Sequence, residues 1–131
     1  MCAFATLDIS DAVQVRAPDG SDVRILLALA NGSMAHFALP ANHVSRGVVH
    51  RTVEEIWFII SGSGEMWRKQ DDQESVVQLS PGMSLTIPVG TQFQFRASTF
   101  ESVTAVAITM PPWPGSTEAS FVKGCWEPSN F

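Results

Sequence analysis

Apolar residues recur at alternate positions in short stretches along this chain, and turn residues separate the stretches at nearly regular intervals. Val13 to Ala17 alternates and runs into Pro18-Asp19-Gly20. Val23 to Ala30 is an apolar strand, and Asn31-Gly32 after it is a strong hairpin signal because such turns favour positive φ. Ser33 to Leu39 returns as its partner, and Pro40-Ala41-Asn42 ends it. Ile56 to Ile60 is apolar on both faces, so it is expected to be covered on both sides, by an opposing sheet and by a partner subunit. Glu65 to Lys69 and Ser75 to Leu79 flank the polar hairpin tip Gln70 to Glu74, and Ser84 to Ile87, Thr91 to Ala97 and Ser102 to Thr109 complete the strands. No window holds a helical period for three turns. Many short strands with frequent turns predict an all-β sandwich or barrel.

The texture changes at Pro111. Pro111, Pro112 and Pro114 argue against regular ladder pairing, yet Trp113 and Trp126 are too apolar to stand in solvent. Residues 110–131 are therefore expected to form an irregular tail packed across the barrel or on a neighbour.

Composition narrows the picture. A length of 131 residues fits one domain, and 45% hydrophobic against 16% charged residues is enough for a core. The eight Lys and Arg are scattered singly in a chain of net charge −5, which excludes the basic stripe of a nucleic-acid-binding protein. No apolar run reaches membrane-span length, and Met1 to Ala5 lacks the charged start of a signal peptide, so the expected location is the cytoplasm. Cys2 and Cys125 sit near opposite ends and cannot make a disulfide scaffold. Hydrolytic nucleophile elbows, phosphate loops and dinucleotide fingerprints are all missing.

The chemistry concentrates in His50-Arg51-Thr52-Val53-Glu54-Glu55-Ile56-Trp57, in which an imidazole leads into a strand and a carboxylate follows. Strand period puts Glu55, Trp57 and Ile59 on one face and Glu54, Ile56, Phe58 and Ile60 on the other. A carboxylate placed inside a barrel is costly unless something pairs with it. The plain structural reading makes His50 and Glu55 a buried hydrogen-bonded pair, joined by Arg46 or Arg51. Trp57, Phe93 and Phe95, with Trp67 as a further candidate, either line a ligand cavity or fill the core.

This stretch resembles the first motif of the cupin family, G-x5-H-x-H-x(3,4)-E-x6-G, through His50, Glu55 and Gly62. Gly82, Pro88 and Gly90 resemble the second motif, G-x5-P-x-G-x2-H-x3-N. The resemblance covers about residues 23 to 109 and implies a double-stranded β-helix, the jelly-roll barrel, as a single domain spanning 1–131. It also implies a divalent transition metal held by four ligands, but Val48 and Phe93 stand where two of the histidines belong. Ala97 replaces the trailing asparagine, and Asn42, which tolerates a left-handed backbone, replaces the opening glycine.

The metal candidates are thus His50 and Glu55, with His36, Gln92 or Gln94 as further ligands. The leading functional expectation is a cupin-like small-molecule-binding protein with a partly dismantled metal site and a cavity formed by His50, Glu55, Trp57, Phe93, Phe95 and His36. One alternative is a cupin enzyme of the dioxygenase or isomerase type. It would use either the metal or His50 as acid or base, with Glu55 orienting the ring. Another is a homodimeric accessory protein without activity.

Overall fold

The computed structural model describes residues 2–130, and every long element in it is a strand. Two antiparallel sheets face each other. One has six strands in the order β1 (Val13–Arg16), β2 (Asp22–Leu29), β3 (Gly32–Leu39), β10 (Val103–Met110), β5 (Glu54–Gly62) and β8 (Ser84–Ile87). The other has five: β11 (Ala119–Val122), β4 (Gly47–His50), β9 (Gln92–Ala97), β6 (Gly64–Gln70) and β7 (Gln73–Leu79). Among the described residues no helix is long and apolar enough to cross a membrane.

Alternation decides what each strand buries. On β5 the odd positions Glu55, Trp57 and Ile59 are buried, as the sequence period requires, and the even positions face out. On β9 Phe93 and Phe95 enter the same core, where Leu39, Met66, Ile87 and Val103 meet them. Each such large side chain taken out of water contributes about 1.5–3 kcal/mol. The motif glycines do what their positions ask: Gly62, Gly82 and Gly90 have φ of 80°, 92° and 82°. At Gly62 a Cβ would also lie 1.7 Å from the Ser102 carbonyl oxygen. Asn42 adopts a φ of 65°, in keeping with its place at a motif glycine.

Three sequence expectations change. The first hairpin turns at Ala30-Asn31, because Leu29 pairs with Gly32 after a register shift between Ile25 and Ala28; neither Asn31 nor Gly32 takes a positive φ. His50 ends β4 and does not begin β5, which starts at Glu54 after a short loop. The tail carries a strand after all. The prolines lie upstream of Ala119–Val122, which pairs with the free edge of β4 from His50 to Gly47. Phe131 and Met1 lie outside the described residues.

The rest of the tail is bolted to the outer face of the five-stranded sheet. Gln94, fully buried, donates from Nε2 to the carbonyls of Ser45 (2.8 Å) and Trp126 (2.9 Å) and accepts from the Trp126 N–H (3.0 Å). Gly124 passes so close that a Cβ there would fall 2.1 Å from Gln94 Oε1. Arg96 lies 4.3 Å over the Trp126 ring while pairing with Glu65 at 2.6 Å.

Candidate functional site

A cavity of about 460 Å³ is lined by strands of both sheets. Its walls are mostly apolar: Phe37 from β3, Val23 and Ile25 from β2, Val48 from β4, Trp57 from β5 and Phe93 from β9. The turn Pro18-Asp19 and the tail residues Trp113, Gly115 and Ala119 complete the enclosure.

Strand register assembles a polar row on this apolar wall. Thr109 on β10 lies between Ser33 on β3 and Glu55 on β5. The Ser33 and Thr109 hydroxyls bond to each other, and Ser33 Oγ also accepts the Trp113 N–H at 3.0 Å, which fixes the tail where it enters the cavity wall. His50 arrives from the opposite sheet. It lies edge-on to Phe93 at 5.1 Å and to Trp113 at 5.0 Å between ring centroids.

His50 and Glu55 are 6% and 3% exposed, and His50 Nδ1 lies 3.7 Å from Glu55 Oε2. That is too long for a hydrogen bond, and His50 Nδ1 has no hydrogen-bond partner among the described residues. The expected bonded pair is therefore absent, and neither arginine joins it. Arg46 instead donates to the Pro18 carbonyl at 3.2 Å and lies 5.7 Å from the Phe121 centroid, and Arg51 points to solvent. What Glu55 accepts is the Trp57 indole N–H, at 2.8 Å to Oε1.

Burial then governs the protons. It lowers His50 to about 4 against the opposing pull of the Glu118 carboxylate, so the imidazole is neutral near pH 7. It raises Glu55 to about 7; the Trp57 hydrogen bond resists the rise, and the charge of Asp19 adds to it. An ion pair would require the reverse shifts, so the close approach of Nδ1 and Oε2 is not one at neutral pH. Asp19 is itself buried and raised by burial, against the Ser21 hydrogen bonds and the nearby Arg46. Glu118 staples the tail behind His50, accepting from Thr52 N (2.6 Å), Val53 N (3.2 Å) and the Thr52 hydroxyl. Burial pushes its carboxyl up, but these bonds together outweigh it and hold the group below its ordinary value.

His50, Glu55, Trp57 and Phe93 come together as the strand period and the motif positions imply. Phe95 sits deeper, edge-on to Trp57 at 5.1 Å, and packs in the core without lining the cavity. His36 does not reach the cavity: Phe37 takes the inward position and stacks on Trp57 at 4.9 Å, while His36 is in register with Arg24 and Val106 on the outer side. Gln92 and Gln94 alternate with Phe93 and face away, Gln94 being consumed by the tail. Trp67, in register with Gln94, shares that outer side.

The metal expected from the family motifs does not fit this donor set. Only His50 and Glu55 converge, the Phe93 ring stands where a third ligand would, and no three His, Cys, Asp or Glu side chains gather among the described residues. Asp19, Phe37 and Thr109 were not singled out from sequence, and Trp113 was marked only as an apolar residue of the tail. Pro-Asp-Gly reads as a turn, and no local pattern says that the turn folds over a cavity.

No protein-family model and no curated protein sequence matches the chain. Solved structures do. Pac13 from Streptomyces, a nucleoside dehydratase, superposes with a TM-score of 0.72 at 10% identity over 92% of each chain. The polyketide cyclase RemF from Streptomyces resistomycificus gives 0.71 at 17% identity over 92% of this chain and 86% of its own. KdgF from Halomonas sp. gives 0.69 at 14% identity over 82% and 94%. Likeness at such low identity is one of fold: this chain shares with all three a cupin-like, all-β fold of two antiparallel sheets.

Proposed function

We propose that this cupin-fold protein binds a small organic molecule in the cavity between its sheets and moves a proton on it, with Glu55 as general acid and base. The observation that carries this reading is the Glu55 carboxyl. It is buried in an apolar cavity, raised to about 7, and set beside a neutral imidazole whose Nδ1 is unpartnered. A group that titrates near the working pH is the most effective proton carrier, because both of its forms are populated. Trp57 holds the carboxylate in place through Oε1, which leaves Oε2 for the ligand. His50 then serves as a neutral partner that accepts or donates one hydrogen bond, and Glu55 takes the titrating role first expected of His50. Two of the structural relatives, a dehydratase and a cyclase by name, are small-molecule enzymes, which supports a reactive cavity over a storage one.

A flat C–H acid tests the reading directly. The isoxazole ring of 5-nitrobenzisoxazole opens when a base removes the proton on C3 and the N–O bond breaks, and the coloured cyanophenolate product is followed by absorbance. The wild type should accelerate this opening by about 100-fold or more over buffer. The rate should rise with pH around an apparent value of about 7, and Glu55→Gln should abolish it. Binding without turnover would favour the purely ligand-holding alternative, and a rate indifferent to Glu55→Gln would overturn the assignment.

A further inference from the structure

The cavity holds two buried carboxyl groups; the charge of Arg46 acts on Asp19, whereas no arginine or lysine among the described residues pairs with Glu55. Asp19 and Glu55 are 6% and 3% exposed, both line the cavity, and they are close enough that the charge of Asp19 strengthens the hold of Glu55 on its proton. Asp19 is held firmly. Its Oδ1 accepts from Ser21 N (2.9 Å) and Ser21 Oγ (2.6 Å), its carbonyl accepts from Arg46 N (2.7 Å), and Oδ2 takes part in none of these bonds. Arg46 donates to the Pro18 carbonyl at 3.2 Å, and its charge also favours the ionised form of Asp19. Arg16, at the rim, pairs with Asp22 at 3.7 Å and is largely exposed. Glu118 is turned to Thr52 and Val53, and His50 is neutral near pH 7.

A buried carboxylate without a counter-ion is expensive, so burial makes Glu55 hold its proton to a higher pH than an ordinary carboxyl does. The walls around them are the faces and edges of Phe37, Trp57, Phe93 and Trp113. Aromatic rings attract a cation through their quadrupole, and carboxylates attract it by charge.

We propose that the site is built for an organic cation: an ammonium group seated against the carboxyls of Asp19 and Glu55, carried on a flat apolar body that lies among the aromatic rings. The ligand supplies the cation that Glu55 lacks, and its arrival favours the ionised form of both acids, so binding near pH 7 releases protons to solvent. This names the ligand class of the cavity and rests on its being a ligand site. It would also convert Glu55 to its basic form at the moment of binding.

Matched probes on one skeleton test it: 2-(aminomethyl)naphthalene, 2-(hydroxymethyl)naphthalene and 2-naphthoate, titrated calorimetrically into the intact protein in two buffers of different ionisation enthalpy. The amine should bind about tenfold or more tightly than the alcohol at pH 7, release protons there, and lose affinity as the pH falls further below the Glu55 value of about 7. The naphthoate should bind weakest. Asp19→Asn keeps an acceptor for Ser21 and should reduce both the amine preference and the proton release. Ser21→Ala, which removes the hydroxyl bond to Asp19 but keeps the backbone N–H bond and the acid, should retain both. Equal binding of amine and alcohol, binding without proton release, or identical behaviour of the two variants would overturn the inference, as would no binding of any probe. If the preference fails while 5-nitrobenzisoxazole is still opened through Glu55, only the ligand class falls.

Discussion

The opposed proton affinities of His50 and Glu55 make a stability prediction with a definite sign. Glu55 moves from an ordinary 4.5 to about 7 on folding, so the native state holds a proton that the unfolded chain has already lost across that window. Its contribution is complete below pH 4.5 and disappears as the pH rises through 7; the change is worth about 3 kcal/mol. His50 moves the other way, from 6.5 to about 4. Its contribution is complete above pH 6.5 and is lost as the pH falls toward 4, again by about 3 kcal/mol. Between about pH 4.5 and 6.5 the two slopes are equal and opposite, so these groups together leave the wild type almost flat. Single variants unmask them. Urea unfolding followed by tryptophan fluorescence, repeated from pH 4 to pH 8, gives the difference between wild type and Glu55→Gln. The advantage of the wild type should shrink by about 3 kcal/mol as the pH rises through this window. The difference between wild type and His50→Gln should shrink by a similar amount as the pH falls. A charged His50–Glu55 ion pair would invert both signs, since it would raise the histidine and lower the acid. Either inverted sign refutes the neutral-pair argument.

Other outcomes follow from the same contacts. Trp113→Ala removes a wall from His50 and admits water, so the imidazole, followed by its ring proton shifts in NMR, should titrate closer to 6.5 than to 4. Gln94→Leu leaves the Ser45 and Trp126 backbone groups without their bonds and should cost about 1–3 kcal/mol, with trypsin cutting faster at the exposed Lys123. Gly124→Ala should loosen the same tail, because its Cβ would occupy the place of the Gln94 amide. The outer face of β5 leaves Ile56, Phe58 and Ile60 exposed at 45%, 47% and 46%, in register with Val106 and Ile108 of β10. We propose that a second copy covers this apolar stripe. Sedimentation should give a dimer for the wild type and a monomer for Phe58→Glu, and a monomeric wild type would dismiss the idea.

Much of the molecule was legible in the chain because strand period is a local property. Alternation put Glu55 and Trp57 on one face, and the glycine spacing marked turns that need positive φ at Gly62, Gly82 and Gly90. Phe93 could be placed opposite His50 because both stand at motif positions. What alternation cannot supply is the register between distant strands and the path of an aperiodic segment. His36 and Gln94 were plausible ligands until pairing fixed their parity: Phe37 took the inward place on β3, and Gln94 became the anchor of a tail 32 residues downstream. The tail itself looked too proline-rich to pair, yet the open edge of β4 offered unpaired backbone groups that only the folded sheet creates. Asp19 and Trp113 joined the cavity for the same reason. Proton affinities came last of all, since burial set them, and burial belongs to the assembled protein and to no residue alone.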